Sequence, residues 1–499
     1  MSRLRSVAAA ILAFVLAVGW LGAVPAHAAG LMTGAGSTYA ALAIQQWIGD
    51  AKRSGLNFSY NTNGSPAGVQ FFLDSTIDFA ATEAEIASVN EGSATTSKSY
   101  QYIPDVAGAT AFMYNLHDTA GRQYTGLKLT RDVIAGIFTG EITSWNDPAI
   151  TSQNGGIRFQ EDAIKVVIRS ERSGTTGLFY DFVQNTAPAR FARFKQKQNI
   201  VSPDGIRIIQ IPTPYPANWT GIEGSDKLAQ TIASSNGAGM IGYDEFGYAI
   251  AFGAQSAWVQ NASGNWVQPY AANISKALES AQLRPDLTQD LRNVYKSAAP
   301  QAYPVSAYSY IMTPCAPASD RNTCKSPYYD DARAQQMAKW LDYIACDGQV
   351  KMAQIGYSPL PPNLSQEIQN SITRMSPKAK GRTLNAGNCR NPQFSGSLGA
   401  GATGPPPPAA GKKNPSATPT NSASPGANPS ASAGGAGSSG AGADAVGGGS
   451  GRWRDDKPVA YGGLSPAGIS GLTALLLILL VGIPPLVGAF AQRIKSRVR

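Results

Sequence analysis

From residue 29 to residue 394 the chain alternates short apolar runs with longer stretches whose apolar residues return every three or four positions. "NFSYNT" from Asn57 is followed by "AGVQFFLDS" from Ala67, "GATAFMYNL" from Gly108 precedes "TRDVIAGIFTG" from Thr130, and "IKVVIR" from Ile164 precedes "GTTGLFYDFV" from Gly174. The first member of each pair predicts a strand and the second an amphipathic helix. Their alternation predicts α/β layers with largely parallel sheets. About 360 residues is more than one core usually serves, so two α/β lobes are expected.

The flanks follow other patterns. Residues 1–28 carry Arg3, Arg5, an apolar run from Val7 to Val24 and the small-x-small tripeptide Ala26-His27-Ala28, which predicts a secretory signal peptide cut after Ala28. Residues 395–464 are dominated by Gly, Ala, Ser, Pro, Thr and Asn. Such a stretch buries too little apolar surface to fold and is expected to be a disordered linker. Residues 465–491 hold no charge and exceed the roughly 20 residues a transmembrane helix needs. Arg493, Lys495, Arg497 and Arg499 follow in the 492–499 tail, so the tail is expected in the cytoplasm and everything before the helix outside.

The formal charge of +9 changes the picture little, because the signal, the linker and the tail carry nearly all of it. A near-neutral folded part is a poor binder of phosphodiester backbones, and no nucleic-acid partner is expected. Cys315, Cys324, Cys346 and Cys389 all fall in the exported part, where disulfides persist. Four cysteines allow three connectivities. Cys315–Cys324 with Cys346–Cys389 is the expected one, since the first pair staples the short loop between its members. With no C-x-x-C pair, and His117 the only histidine outside the signal, neither a metal site nor a cofactor is expected.

Three junctions share one grammar. Thr33-Gly34-Ala35-Gly36-Ser37-Thr38, Asn63-Gly64-Ser65-Pro66-Ala67-Gly68 and Ser170-Glu171-Arg172-Ser173-Gly174-Thr175 each place small residues and hydroxyls where a helix begins. A helix start presents unpaired N–H groups and the positive end of the macrodipole, glycine lets a ligand approach the backbone, and Ser and Thr add donors. Together these suit a tetrahedral oxyanion. Arg169, four residues before Ser173, can add a bidentate contact. "SERSGTTG" is not a Walker A loop and Ser173 is not in a G-x-S-x-G elbow, so neither nucleotide hydrolysis nor Ser/His catalysis is expected.

Taken in order, "GAGSTYAALAIQQW", "YNTNGSPAGVQFFLDSTIDFAATEAEI", "GIFTGEITSWNDPAI", "RSERSGTTGLF", "GAGMIGYDEFGYA" and "IGYSPLP" resemble segments of the phosphate-binding proteins of high-affinity phosphate ABC transporters, over most of 31–365. The resemblance implies a type 2 periplasmic-binding-protein fold. Its two α/β lobes would be 30–112 with 305–392 and 113–304, joined by crossover strands around a ligand cleft. It also implies a non-enzymatic, monomeric protein that captures inorganic phosphate and hands it to permease and ATPase subunits. The implied phosphate-binding positions are Thr38, Tyr39, Ser65, Glu83, Arg169, Ser173, Gly174 and Thr175. Three positions depart from the family pattern: Glu83 and Glu171 stand where the family has aspartates, and Arg172 where it has glycine. Glu83 would accept the phosphate's proton and so discriminate against sulfate, and Glu171 would pair with Arg169. These departures leave a second reading, a surface protein that uses the scaffold for sensing, for another oxyanion or for a structural role.

Overall fold

A computed structural model of the chain describes residues 30–404, apart from 94–95, 97, 204, 316–330, 377 and 400. The expected signal peptide, the linker beyond residue 404, the membrane span and the basic tail lie outside the described residues. No described helix is long and apolar enough to cross a membrane.

The first βα unit shows how local pattern becomes structure. Strand β1 (Met32–Gly36) leads into helix α1 (Ala41–Arg53), whose Ala43, Ile44, Trp47 and Ala51 form the buried stripe that the helical spacing requires. Ser37 Oγ accepts the Ala40 amide at the turn between them (3.0 Å). Strand β2 (Phe58–Asn61) and helix α2 (Ser65–Leu73) repeat the unit, with Gly64 at φ 85° making the turn and Pro66 fitting the first helical turn. Strand β3 (Phe79–Thr82) is followed by the one-turn helix α3 (Ile86–Val89).

Strand β4 (Tyr100–Tyr114) is 15 residues long. Beyond it come strand β5 (Lys165–Arg169), helix α4 (Gly174–Thr186), strand β6 (Trp219–Ile222), helix α5 (Ser225–Ala233), strand β7 (Met240–Glu245), helix α6 (Phe246–Phe252) and strand β8 (Ser306–Pro314). One nine-stranded sheet runs β2-β1-β3-β8-β4-β7-β5-β6, with the two-residue strand Gln255–Ser256 off β4. Pairing is parallel among β1, β2 and β3 and among β5, β6 and β7. The two central strands are the exception to the largely parallel expectation. β8 is antiparallel to β3 and β4, and β4 is antiparallel to β7.

Length explains the exception. A 15-residue strand spans about 50 Å at roughly 3.3 Å per residue, enough to serve two half-sheets. Tyr100 to Ala109 pair with β8, and Thr110 to Tyr114 pair with β7. The result is a mixed α/β fold whose two parallel halves are joined through β4 and β8. On one side, Trp340 packs on Phe58 and Phe79 (ring centroids 4.5 and 5.0 Å apart). On the other, Phe179 packs on Phe112, Phe138 and Tyr243. Trp47, Trp145 and Trp340 are all fully buried core residues. The expected Cys346–Cys389 disulfide is present, closing a 43-residue separation. Cys315 is disulfide-bonded too, and its expected partner Cys324 lies outside the described residues.

Candidate functional site

Parallel strands deliver their C-terminal ends to one edge of each half-sheet, and there the small-residue junctions meet. From the first half come the β1–α1 turn with Ser37, Thr38 and Tyr39, the start of α2 with Ser65, and Glu83 just past β3. From the second come Arg169 at the end of β5, the α4 start with Ser173, Gly174 and Thr175, and, unforeseen in the sequence, Ser225 at the start of α5 and Asp244 near the end of β7.

Glu83 is the centre of the first-half cluster. Its carboxylate accepts Ser37 Oγ at 2.6 and 2.8 Å, Ser65 Oγ at 2.7 Å and Ser309 Oγ, from β8, at 2.6 Å. All four residues are buried. Burial pushes the Glu83 carboxyl above the ordinary carboxylate range, while the Ser309, Ser37 and Ser65 hydroxyls and the Arg169 charge pull it down.

Arg169 is the centre of the second. Its buried guanidinium donates Nε to Glu171 Oε1 (2.7 Å), Nη1 to Ser225 Oγ (3.0 Å) and Asp244 Oδ2 (3.3 Å), and Nη2 to Thr38 Oγ1 (2.8 Å). Nη2 also bonds Glu171. Burial disfavours this cation, but Asp244 and Glu171 outweigh it and hold the guanidinium's pKa above the usual arginine value. Asp244 is itself pushed up by burial against the opposing pull of Arg169.

The clusters touch across the seam between the halves. Ser225 Oγ donates to Thr38 Oγ1 (2.8 Å) and Tyr248 Oη donates to the Thr38 carbonyl (2.7 Å). A Cβ on Gly174 would stand 2.5 Å from Ser65 Oγ and 2.9 Å from Glu83 Oε2, so the α4 backbone reaches within contact of the first-half hydroxyls only because residue 174 has no side chain. Ser173 caps α4, accepting the Thr176 amide at 3.4 Å. Thr175 is buried at that helix start.

Tyr39 departs from the group: its ring is directed into the core against Gly108, leaving its backbone as the part at the junction. Arg172 also lies apart, its Nη2 on the Val89 carbonyl (2.7 Å). Ser225 carries a signal in the sequence. Gly224-Ser225 repeats Gly64-Ser65, and the two glycines share one conformation, φ 87°, ψ 147° and φ 85°, ψ 148°. The acidic neighbours Glu223 and Asp226 disguise the repeat.

Chemically the site is a ring of hydroxyls, helix starts and one fixed cation, with carboxylates behind them. The arrangement can hold an anion by hydrogen bonds. Two α/β halves meeting at such a ring define a two-lobed solute-binding protein. The PBP superfamily domain matches residues 23–348, and the chain belongs to that family.

Within it the chain is PstS-like. It is similar to the phosphate-binding protein PstS of Xylella fastidiosa (strain Temecula1), 28% identical over 340 residues, which cover 68% of this chain and 84% of that one. With PstS of Pasteurella multocida it shares 27% identity over 361 residues, 71% and 93% of the two chains. The crystal structure of a phosphate-binding protein from Stenotrophomonas maltophilia matches its fold with a TM-score of 0.50 at 19% identity, over 73% of this chain and 99% of that one.

Proposed function

We propose that the protein captures inorganic phosphate in the seam between its lobes and delivers it to the permease and ATPase of an ABC importer. The observation that carries this reading is the convergence of Thr38, Ser65 and Glu83 from one lobe with Arg169, Ser173, Gly174 and Thr175 from the other. A lone helix cap would bring no second lobe with it. Thr38 and Tyr39 amides, the Ser65, Ser173 and Thr175 hydroxyls and the Gly174 amide serve as donors. Arg169 offsets part of the ligand's charge, and Glu83 accepts the phosphate's proton. The names of the curated relatives support phosphate as the ligand. On this reading the protein works as a monomer outside the cell, released from its signal after Ala28 and tethered by the linker and the 465–491 helix.

One observation favours a second reading. Glu83 already accepts three serine hydroxyls, so taking a proton from phosphate means giving one of them up, and a different oxyanion or a sensing role would not require that.

Titration calorimetry with phosphate and with sulfate separates the two. Phosphate binding that sulfate does not match is the expected result; equal affinities would remove Glu83 as a selectivity residue, and no phosphate binding would remove the reading. Arg169→Ala is expected to weaken phosphate at least a hundredfold, because it strips the buried guanidinium from the ring and leaves Asp244 buried and uncompensated, a loss of about 3 kcal/mol or more.

A further inference from the structure

Beside the ring, a second set of contacts crosses the same seam. Helix α3 begins three residues after Glu83 and is a single turn long. Glu85, its N-cap residue, makes no side-chain bond to its own helix; the Ile86 amide is taken by Tyr102 Oη instead (3.0 Å). The Glu85 carboxylate points to the other lobe, where Arg284 Nη1 donates to it at 3.0 Å and Arg207 Nη1 lies at 3.6 Å.

Both arginines are held in place from their own lobe. Arg284 Nη1 also donates to the Gln289 carbonyl (3.0 Å) and Thr288 Oγ1 (3.2 Å), and Arg207 Nε lies 3.6 Å from Asp181. The opposite end of α3 is gripped as well. Arg172, again from the second lobe, donates Nη2 to the Val89 carbonyl at 2.7 Å and lies 3.5 Å from the Ser88 carbonyl. A cation on the last carbonyls of a helix also meets the negative end of its dipole.

We propose that α3 is a closure latch, a one-turn helix of the first lobe seized at its acidic start by Arg284 and Arg207 and at its carbonyl end by Arg172 of the second. It explains why residue 172 is an arginine. Because Glu83 and Glu85 share one short segment, seating α3 also fixes the depth at which Glu83 meets the ring, so the latch acts as a positioning device for the binding residues. Its charges are partly exposed, with side-chain exposures of 30% for Glu85 and 45% for Arg284, so salt weakens it. Its work is to slow opening: contacts made only in the closed form raise residence time with little effect on encounter.

The ligand readout rests on the phosphate reading above, but the latch can be measured without it. In the full chain, Glu85→Gln, Arg284→Ala and Arg172→Ala are compared with the unaltered protein by phosphate dissociation rate and by amide hydrogen exchange over residues 84–90 and 172–177. Each is expected to speed dissociation by about three- to tenfold with the association rate little changed, and to speed exchange in both segments. Glu85→Gln combined with Arg284→Ala should do no more than Glu85→Gln alone, and added salt should narrow the gap to the unaltered chain. Unchanged dissociation and unchanged exchange in the three variants would overturn the latch. Should the unaltered chain fail to bind phosphate, exchange alone still decides: faster exchange in both segments upholds the latch while the phosphate reading falls.

Discussion

Gly174 concentrates the residue-scale physics of the seam. Its importance is space, since the residue begins an ordinary right-handed helix and needs no special backbone conformation. An added methyl would overlap Ser65 Oγ at 2.5 Å and Glu83 Oε2 at 2.9 Å. Ser65 cannot swing aside cheaply, because its hydroxyl is held by Glu83 (2.7 Å). On the proposed closure of the lobes, the overlap's cost of about 1–3 kcal/mol falls on the closed form, as overpacking does. Gly174→Ala is therefore expected to leave the folded chain about as stable, alanine being the better helix former, yet to weaken phosphate binding by roughly tenfold or more. Calorimetry beside thermal unfolding checks this; affinity within twofold of the unaltered chain would show that the α4 start does not close on Ser65.

Elements carry the next level, and helix α2 shows how tightly they pack. A Cβ on Gly68 would lie 2.3 Å from Gly36 Cα and 2.5 Å from the Ala35 carbonyl oxygen, both backbone atoms of β1. Gly68→Ala must push α2 off its strand, and about 2–4 kcal/mol of stability should go with it. A lower denaturant midpoint with an unchanged m-value is the expected signature; an unchanged midpoint would mean that α2 is not seated on β1. Much at this scale was legible from local pattern. The strand–glycine–helix grammar of "NGSPAG" and "RSGTTG" foretold α2 and α4, because a cap, a turn and an apolar stripe are all written within a few residues. What stayed hidden depends on distant pairing. Nothing local in "YQYIPDVAGATAFMY" says that one strand serves two half-sheets. Nor does "GYDEFGYA" announce that Asp244 will meet an arginine 75 positions earlier.

At the scale of the whole molecule, folding gathers acids. Glu83 and Asp105 on one side of the seam and Asp244 and Glu245 on the other are all buried, and burial pushes every one of their carboxyls up, Asp105 and Glu245 well above the ordinary range. Asp105 is pushed further by the neighbouring Glu83 charge, and among the described residues its Oδ2 has no hydrogen-bond partner; neither has Glu245 Oε1. Unfolded, the same groups titrate near pH 4. Above that value and up to their raised folded pKa, the folded chain binds more protons than the unfolded one, so stability is greatest at the acid side of this window and is lost as pH rises, by about 1.4 kcal/mol per pH unit for each proton retained. Carboxylates held down by arginine partners, such as Asp290 at about 2, oppose this only below the ordinary carboxylate range. The thermal midpoint in phosphate-free buffer is therefore expected to be higher near about pH 5.5 than near about pH 8. Asp105→Asn, which carries no titrating proton, should flatten that slope. A midpoint that climbs steadily to pH 8, or a slope that Asp105→Asn leaves unchanged, would show that these acids are ionised and compensated in the folded chain.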